Sequence, residues 1–262
     1  MTPGERKRAD QLAPSHDLPE IINRVRAQTP ARLLAGRSGA AYRTNTQLEL
    51  RAAHALARDA VRVEFDLFAD LGGEFMRNWN LFEACSRATS KDEYLLRPDL
   101  GRSLNDASRA EIARRCTPGN DLQVVIGDGL SVTAVAKQVP RLLPLLCEGA
   151  SARGWSLGAT FVIRHCRVGI LNDVGELLCP NVAILLIGER PGLATAESLS
   201  AYMAYGPKAA DTDARRNLVS NIHVRGVSAE QATQRILDLA ALMMRTRESG
   251  CQLREQTPAL PR

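Results

Sequence analysis

The 262-residue chain is long enough for one large domain or two small ones. Its composition is 45% hydrophobic and 24% charged, as in a globular protein, and no apolar run approaches the roughly 20 residues of a membrane span. The net charge of +5 is spread along the chain and aromatic residues make up only 4%, which argues against a nucleic-acid-binding surface. An acidic partner or a phosphate-bearing ligand would explain the charge equally well.

The cysteine and histidine content argues against a zinc site. There are four histidines, and none of the six cysteines belongs to a CxxC pair. The N-terminus lacks the apolar core of a secretory signal, so we expect reduced thiols in an intracellular chain. The cysteines are Cys85, Cys116, Cys147, Cys166, Cys179 and Cys251.

The first hundred residues are predicted to be mainly helical. Residues 1–20 are polar and proline-containing and are predicted to be a flexible tail, followed by a short helix over Leu18–Ala27 and a loop over residues 33–46. Thr46 and Glu49 form a capping-box pattern before an amphipathic helix. The predicted apolar face of that helix comprises Leu48, Ala52, Ala55, Leu56 and Ala60.

The segment after this helix is ambiguous. "VRVEFDLF" (61–68) alternates with period two, which is typical of a strand, although an amphipathic connector fits as well. Pro98 disfavours helix at Arg97, so we place the end of the N-terminal part, residues 21–100, at this point.

Strand and helix patterns alternate from residue 101 to 255. Three apolar runs, in residues 122–131, 159–168 and 181–192, predict buried strands of a parallel sheet. Helices are predicted between them, the longest containing Pro140. We therefore expect a doubly wound, mostly parallel α/β fold (Rossmann-like) with a helical N-terminal part and a C-terminal tail, 256–262.

Capping patterns set the expected helix ends. Ser108 with Glu111 predicts the start of a short helix that ends near Cys116. Ser228 with Gln231 predicts the start of the last long helix, and Gly250 its end.

Two loops at the expected carboxyl edge of the sheet could bind a ligand. One contains Asp128 between two glycines, and the other contains Glu189 in "GERPG". Neither loop matches a dinucleotide or nucleotide triphosphate motif. Glycines are also common where a strand simply ends in a turn, so a ligand-binding loop and an ordinary turn both stay open.

Other candidate residues point away from catalysis. Ser131 fits a helix N-cap better than a nucleophile elbow. His165 and Cys166 are adjacent in a predicted strand, so their side chains should point to opposite faces. His223 lies in a predicted loop and is a candidate contact residue. No self-sufficient catalytic set is visible.

Five stretches in order carry a family resemblance. They are "LLRPDLGRSL" (95–104), "VVIGDGLS" (124–131), "FVIRHCRVGILNDVGELL" (161–178), "LLIGERPGLATAESLSAYMAY" (185–205) and "SNIH" (220–223). Together they resemble the small (light) subunit of ethanolamine ammonia-lyase. The resemblance implies an enzyme that converts ethanolamine to acetaldehyde and ammonia with adenosylcobalamin. It also implies a TIM-barrel large subunit that carries the radical chemistry.

The resemblance also implies a role for this chain and for three of its residues. The α/β domain would contact the lower side of the cobalamin and cap the large subunit, in the cytoplasm or inside a bacterial microcompartment. The family's cobalamin contacts fall at Val168, Glu189 and Leu218. Some relatives have cysteine at the last position, and leucine leaves only a backbone or apolar contact. No metal ligand and no catalytic residue are expected in this chain.

Two other functions compete with this expectation. The chain could be a stand-alone α/β enzyme that acts on a phosphorylated or nucleotide substrate through the Asp128 and Glu189 loops. It could also be a structural adaptor without a ligand.

Overall fold

A computed structural model describes residues 20–29, 35–192 and 194–253. The chain divides into two units, Met1–Leu48 and Glu49–Arg262. The predicted tails, 1–20 and 256–262, lie outside the described residues except for Glu20, which begins the first helix.

The described part of the N-terminal unit contains one complete helix, one small hairpin and the first residues of a second helix. Helix α1 spans Glu20–Ala27, close to its predicted bounds. Strand β1 (Arg37–Ser38) pairs antiparallel with β2 (Ala41–Tyr42), in a segment that the sequence predicts to be loop. Gly39, with φ of 62°, turns the hairpin, because the left-handed region is open to glycine at no steric cost.

Helix α2 spans Thr44–Arg62 and confirms the predicted helix but not its start. It begins two residues before Thr46, so the predicted capping box is wrong, and the Gln47 N–H donates instead to the Arg43 carbonyl. The predicted apolar face is largely solvent-exposed, with Leu56 at 70%. Only Ala53 of this helix is buried.

Residues 61–68, for which both a strand and an amphipathic connector fit the sequence, do not form a strand. Helix α2 ends at Arg62, and α3 (Leu67–Leu71) and α4 (Gly73–Asn78) follow. Asp66 caps α3 by accepting the N–H groups of Phe68 and Ala69, a strong local preference that overrides the alternating pattern.

A six-stranded sheet forms the centre of the second unit. Its strands are β3 (Glu83–Cys85), β4 (Leu122–Gly127), β5 (Phe161–Arg164), β6 (Val182–Gly188), β7 (Leu199–Tyr205) and β8 (Asn217–Ile222), in the spatial order β3-β5-β4-β6-β7-β8. The first four run parallel, while β7 and β8 extend the sheet in antiparallel steps. The mostly parallel α/β class is confirmed, although β3 precedes the boundary placed near residue 100.

Helices cover both faces of this sheet. The covering helices are α6 (Asp106–Arg115), α7 (Val132–Ala152), α8 (Leu171–Leu178) and α9 (Ala229–Thr246), and a short helix, α5 (Lys91–Leu96), precedes them. Alternate residues of β4 and β6 enter two separate apolar cores, one with α7 and α9 and the other with α6 and α8. Burial on both faces explains the continuous apolar runs in the sequence.

Besides the cap of α2, two predicted helix caps are confirmed and two are corrected. Ser131 caps α7, and Ser228 forms a capping box with Gln231 at the start of α9. The cap of α6 is Asn105 instead of Ser108, whose hydroxyl accepts the Cys85 N–H at 2.8 Å. Helix α9 ends at Thr246 with Arg247 in the left-handed region, before Gly250.

Candidate functional site

A cavity of about 390 Å³ opens at the carboxyl edge of the sheet, and we call it the strand-edge pocket. Its walls are the segments that follow β4 and β5, the end of β6 and the facing residues of β7 and β8. Val168, Glu189 and Leu218 all line it, although they lie in a 3₁₀ turn, in the loop after β6 and on β8. The carboxyl edge of parallel strands is where open α/β sheets bind ligands.

Two glycines let the exits of β4 and β6 come into contact at the floor of this pocket. The Leu130 N–H donates to the Gly188 carbonyl at 3.1 Å. A Cβ on Gly129, whose φ is +59°, would lie 2.4 Å from that carbonyl, and a Cβ on Gly188 would lie 2.0 Å from the Ser131 carbonyl. The glycines are therefore required for the two strand exits to pack against each other.

Glu189 is held in place by the protein before any ligand binds. Its backbone N–H donates to Ser198 O at 3.0 Å. Its Oε1 accepts the Ser200 hydroxyl at 2.6 Å and the Asn221 N–H at 2.9 Å. Both contacts fall on the same oxygen, which leaves Oε2 to accept a donor from a ligand.

Val168 follows an arginine that is anchored to a buried tyrosine. The Arg167 guanidinium lies 4.3 Å from the centroid of the Tyr94 ring, and its backbone N–H donates to Gly101 O at 2.8 Å. The Tyr94 hydroxyl donates to Cys166 O at 2.9 Å, and burial raises the pKa of Tyr94, so it stays a neutral donor. These contacts fix the wall on which Val168 starts a 3₁₀ turn.

Leu218 forms an apolar part of the opposite wall. It lies on β8 in register with Tyr202 of β7 and is 41% exposed. Burial, and then the nearby charge of Glu189, raise the pKa of Tyr202, so its hydroxyl also stays protonated. The pocket thus combines apolar contact surface with a carboxylate acceptor and hydroxyl and guanidinium donors.

Comparison with known proteins places the chain in a family. A family model described as ethanolamine ammonia-lyase light chain (EutC) matches residues 19–254. The chain belongs to this family. It is 40% identical to the ethanolamine ammonia-lyase small subunit of Clostridium perfringens, over 90% of this chain and 78% of that protein. The corresponding protein of Pseudomonas syringae pv. tomato is 39% identical over 94% of this chain and 86% of its own length.

Asp128, the other candidate carboxylate of this light chain, is fully buried and internally paired. Its two oxygens accept the backbone N–H groups of His165 and Cys166 at 3.0 and 2.8 Å. The buried Lys91 ammonium lies 3.6 Å from Oδ2. The expectation that Asp128 could bind a ligand is wrong, because its lone pairs hold the end of β5 against the end of β4.

His165 and Cys166 also have structural roles. His165 lies just beyond β5 with φ of 53°, and its ring nitrogens are 3.2 Å from Ala88 O and 3.2 Å from Glu64 Oε2. Complete burial raises the pKa of the Cys166 thiol well above its ordinary value, so it is a poor nucleophile.

His223 lies directly after β8, buried beside the pocket edge. Its ring nitrogens contact Asn221 Oδ1 at 2.8 Å and the Arg225 N–H at 3.2 Å. It therefore shapes the turn that presents the Asn221 N–H to Glu189.

Several residues that line the strand-edge pocket are not indicated by the sequence. Tyr94, Arg167 and Tyr202 line it, as does Ser200, the partner of Glu189. Arg167 is the neighbour of Val168 in sequence, so the sequence could have indicated that it lines the pocket. Tyr94 reaches the pocket only through tertiary packing, which the sequence does not show.

Other classes of site were not found in the described part of the chain. No three histidine, cysteine, aspartate or glutamate side chains there form a group that could hold a metal ion. None of the described helices is both long enough and apolar enough to span a membrane.

Proposed function

We propose that this chain is the small subunit of an adenosylcobalamin-dependent ethanolamine ammonia-lyase, which converts ethanolamine to acetaldehyde and ammonia. One observation carries the proposal beyond family membership. Val168, Glu189 and Leu218, distant in sequence, line a single pocket at the sheet edge where α/β folds bind ligands. The proposed role is to bind part of the cobalamin and to cap the large subunit.

The chemistry of the pocket fits the edge of a corrin. Corrin side chains end in amides, whose N–H groups a carboxylate such as Glu189 accepts well and whose oxygens accept from Arg167 or Ser220. Val168 and Leu218 offer apolar surface to the ring periphery. A cavity of about 390 Å³ suits one edge of the macrocycle, so the rest of the cofactor would lie against the large subunit.

In this proposal the small subunit binds the cofactor and the large subunit carries out the reaction on ethanolamine. When bound, adenosylcobalamin would supply the radical chemistry of the reaction, and Val168, Glu189 and Leu218 would hold the edge of its corrin ring. The Glu189 carboxylate, the Arg167 guanidinium and the apolar surface of the pocket suit hydrogen bonding to and packing against a cofactor, so this chain would bind and orient it. A TIM-barrel large subunit would hold ethanolamine, and the complex would work in the cytoplasm or inside a bacterial microcompartment.

Reconstitution tests this function directly. The chain and a family large subunit are purified separately, and ammonia release from ethanolamine is measured with adenosylcobalamin. We expect activity only with both chains and the cofactor. Full activity of the large subunit alone would refute the proposed role, and cobalamin-independent turnover by this chain alone would favour a stand-alone enzyme.

A further inference from the structure

A second cavity, of about 430 Å³, lies beside the strand-edge pocket, and we call it the arginine cleft. One wall is the C-terminal half of α2, and the other is the "RPG" turn that follows β6, Arg190–Gly192. Four of its lining residues are basic and none is acidic. The basic residues are His54, Arg58, Arg62 and Arg190.

The spacing along α2 explains how these groups share one wall. His54, Arg58 and Arg62 are separated by four residues each, so they lie above one another on one face of the helix. Pro191 and Leu95 add apolar surface to the cleft. An apolar surround strengthens the attraction between an arginine and an anion relative to water.

The charges in the cleft are only partly neutralised by the protein. Arg62 forms an ion pair with Asp92 at 2.8 Å, with both side chains mostly exposed. Arg58 and Arg190 form no ion pair with any residue that the structure describes. Two guanidinium groups are thus available to an anion from outside the chain.

We propose that the arginine cleft binds a phosphate group, as a phosphodiester or a phosphomonoester. Guanidinium groups match the fork of phosphate oxygens with paired N–H donors. Arg58 and Arg190 lie on opposite walls of the cleft, and a tetrahedral phosphate can present oxygens to both walls, which favours it over the planar carboxylate of a partner's acidic side chain.

Arg190 connects this site to the proposed cofactor, and this step rests on the proposed function. Arg190 lines both cavities, so a ligand with its amide edge in the strand-edge pocket can place a phosphate in the arginine cleft. The nucleotide tail of adenosylcobalamin carries a phosphodiester. A separate phosphorylated small molecule is the other source of the same chemistry.

Arg58 lines the arginine cleft but not the strand-edge pocket, so a substitution at this position tests the cleft alone. The complex of this chain with a large subunit is titrated with cyanocobalamin and with cyanocobinamide, which keeps the corrin amides but lacks the nucleotide phosphate. Arg58→Gln is compared with Arg245→Gln, the same charge change at an exposed position of α9. Inorganic phosphate is titrated separately, with chloride at equal ionic strength as the control.

We expect Arg58→Gln to weaken cyanocobalamin binding about tenfold or more and to leave cyanocobinamide binding unchanged. If Arg58→Gln loses only the binding of inorganic phosphate, the cleft is a phosphate site whose ligand is a molecule other than cobalamin. Equal losses for both corrinoids, no loss of any ligand, or loss of large-subunit assembly would overturn the phosphate site. Failure of the wild-type complex to bind cyanocobalamin would instead refute the proposed function.

Discussion

At the residue scale, Glu189 has a defined geometry before any cofactor arrives. Ser200 and Asn221 both donate to Oε1, so the orientation of the carboxylate is fixed by the sheet itself. An acceptor that is already oriented loses little conformational freedom when a ligand binds. The strength of a contact between Glu189 and a ligand should therefore depend on the charge and hydrogen bonds of the carboxylate more than on movement of its loop.

Replacing Glu189 by glutamine should therefore weaken cofactor binding without unfolding the chain. The amide oxygen of Glu189→Gln can still accept from Ser200 and Asn221, but the charged acceptor is lost. We expect a loss of about 1–3 kcal/mol in cobalamin affinity, measured by titration of the complex. Glu197→Gln, in the same segment but outside the pocket, is the matched control. An unchanged affinity in Glu189→Gln would remove Glu189 from the site.

Asp128→Asn should cost stability instead. One carboxylate oxygen would become an NH₂ group facing a backbone N–H, and Lys91 would lose its counter-ion in a buried site. Breaking a buried charged pair costs about 3 kcal/mol or more. Urea unfolding at neutral pH measures this cost, with the exposed Asp99→Asn as control. Equal stability of Asp128→Asn and wild type would contradict the structural role.

At the element scale, the long helices and the inner strands β4, β5 and β6 were predictable, while the short helices α3, α4 and α5 and the outer strands were not. The runs in β4 and β6 are apolar throughout because both faces are covered, which is a strong signal. Strands β7 and β8 carry mixed residues with interrupted burial, so neither a period of two nor one of 3.6 identifies them. The periodicity of α2 identifies the apolar face of this helix, but it does not show whether another part of the protein covers that face.

The capping box of α9 is an element that the sequence predicts and the structure confirms. Ser228 Oγ accepts the Gln231 N–H at 3.2 Å, and the Ser228 N–H donates to Gln231 Oε1 at 3.3 Å. Removing the hydroxyl in Ser228→Ala should lower the free energy of unfolding by about 1 kcal/mol. The control is Ser151→Ala, at an exposed position in the last turn of α7. A melting temperature equal to that of wild type would show that the cap contributes nothing.

At the scale of the whole molecule, the site was predictable only in part. The positions Val168, Glu189 and Leu218 came from the family resemblance, and the carboxyl-edge location came from the fold class. Asp128 is buried while Glu189 lines the pocket. This difference depends on side-chain packing, and the two glycine loops are too similar in sequence to predict it. Tyr94 lines the pocket through contacts more than seventy residues distant in sequence, such as its bond to Cys166.

Acid stability of the whole molecule should depend on Asp121, at the amino-terminal edge of the sheet. Hydrogen bonds from the Ser156 backbone, the Ser156 hydroxyl and Asn181 hold the pKa of this carboxyl below its ordinary value. Its stabilisation is therefore complete above the unfolded pKa of about 3.9 and is lost as the pH falls through the lower folded pKa.

We expect Asp121→Asn to reduce stability at neutral pH and to make the loss of stability on acidification shallower. Urea unfolding between neutral and acidic pH measures both effects, and Asp59→Asn, an exposed change on α2, is the control. A parallel pH profile for wild type and Asp121→Asn would contradict the assignment.

The contact between Gly129 and Gly188 has a consequence for how such a site can diversify. Because backbone atoms make this contact, side chains on the rim of the pocket can change without disturbing it. Substitution on the rim, as with leucine at position 218, can change the chemical character of the opening while the base keeps its form. Ligand preference and folding thereby depend on different positions of the chain.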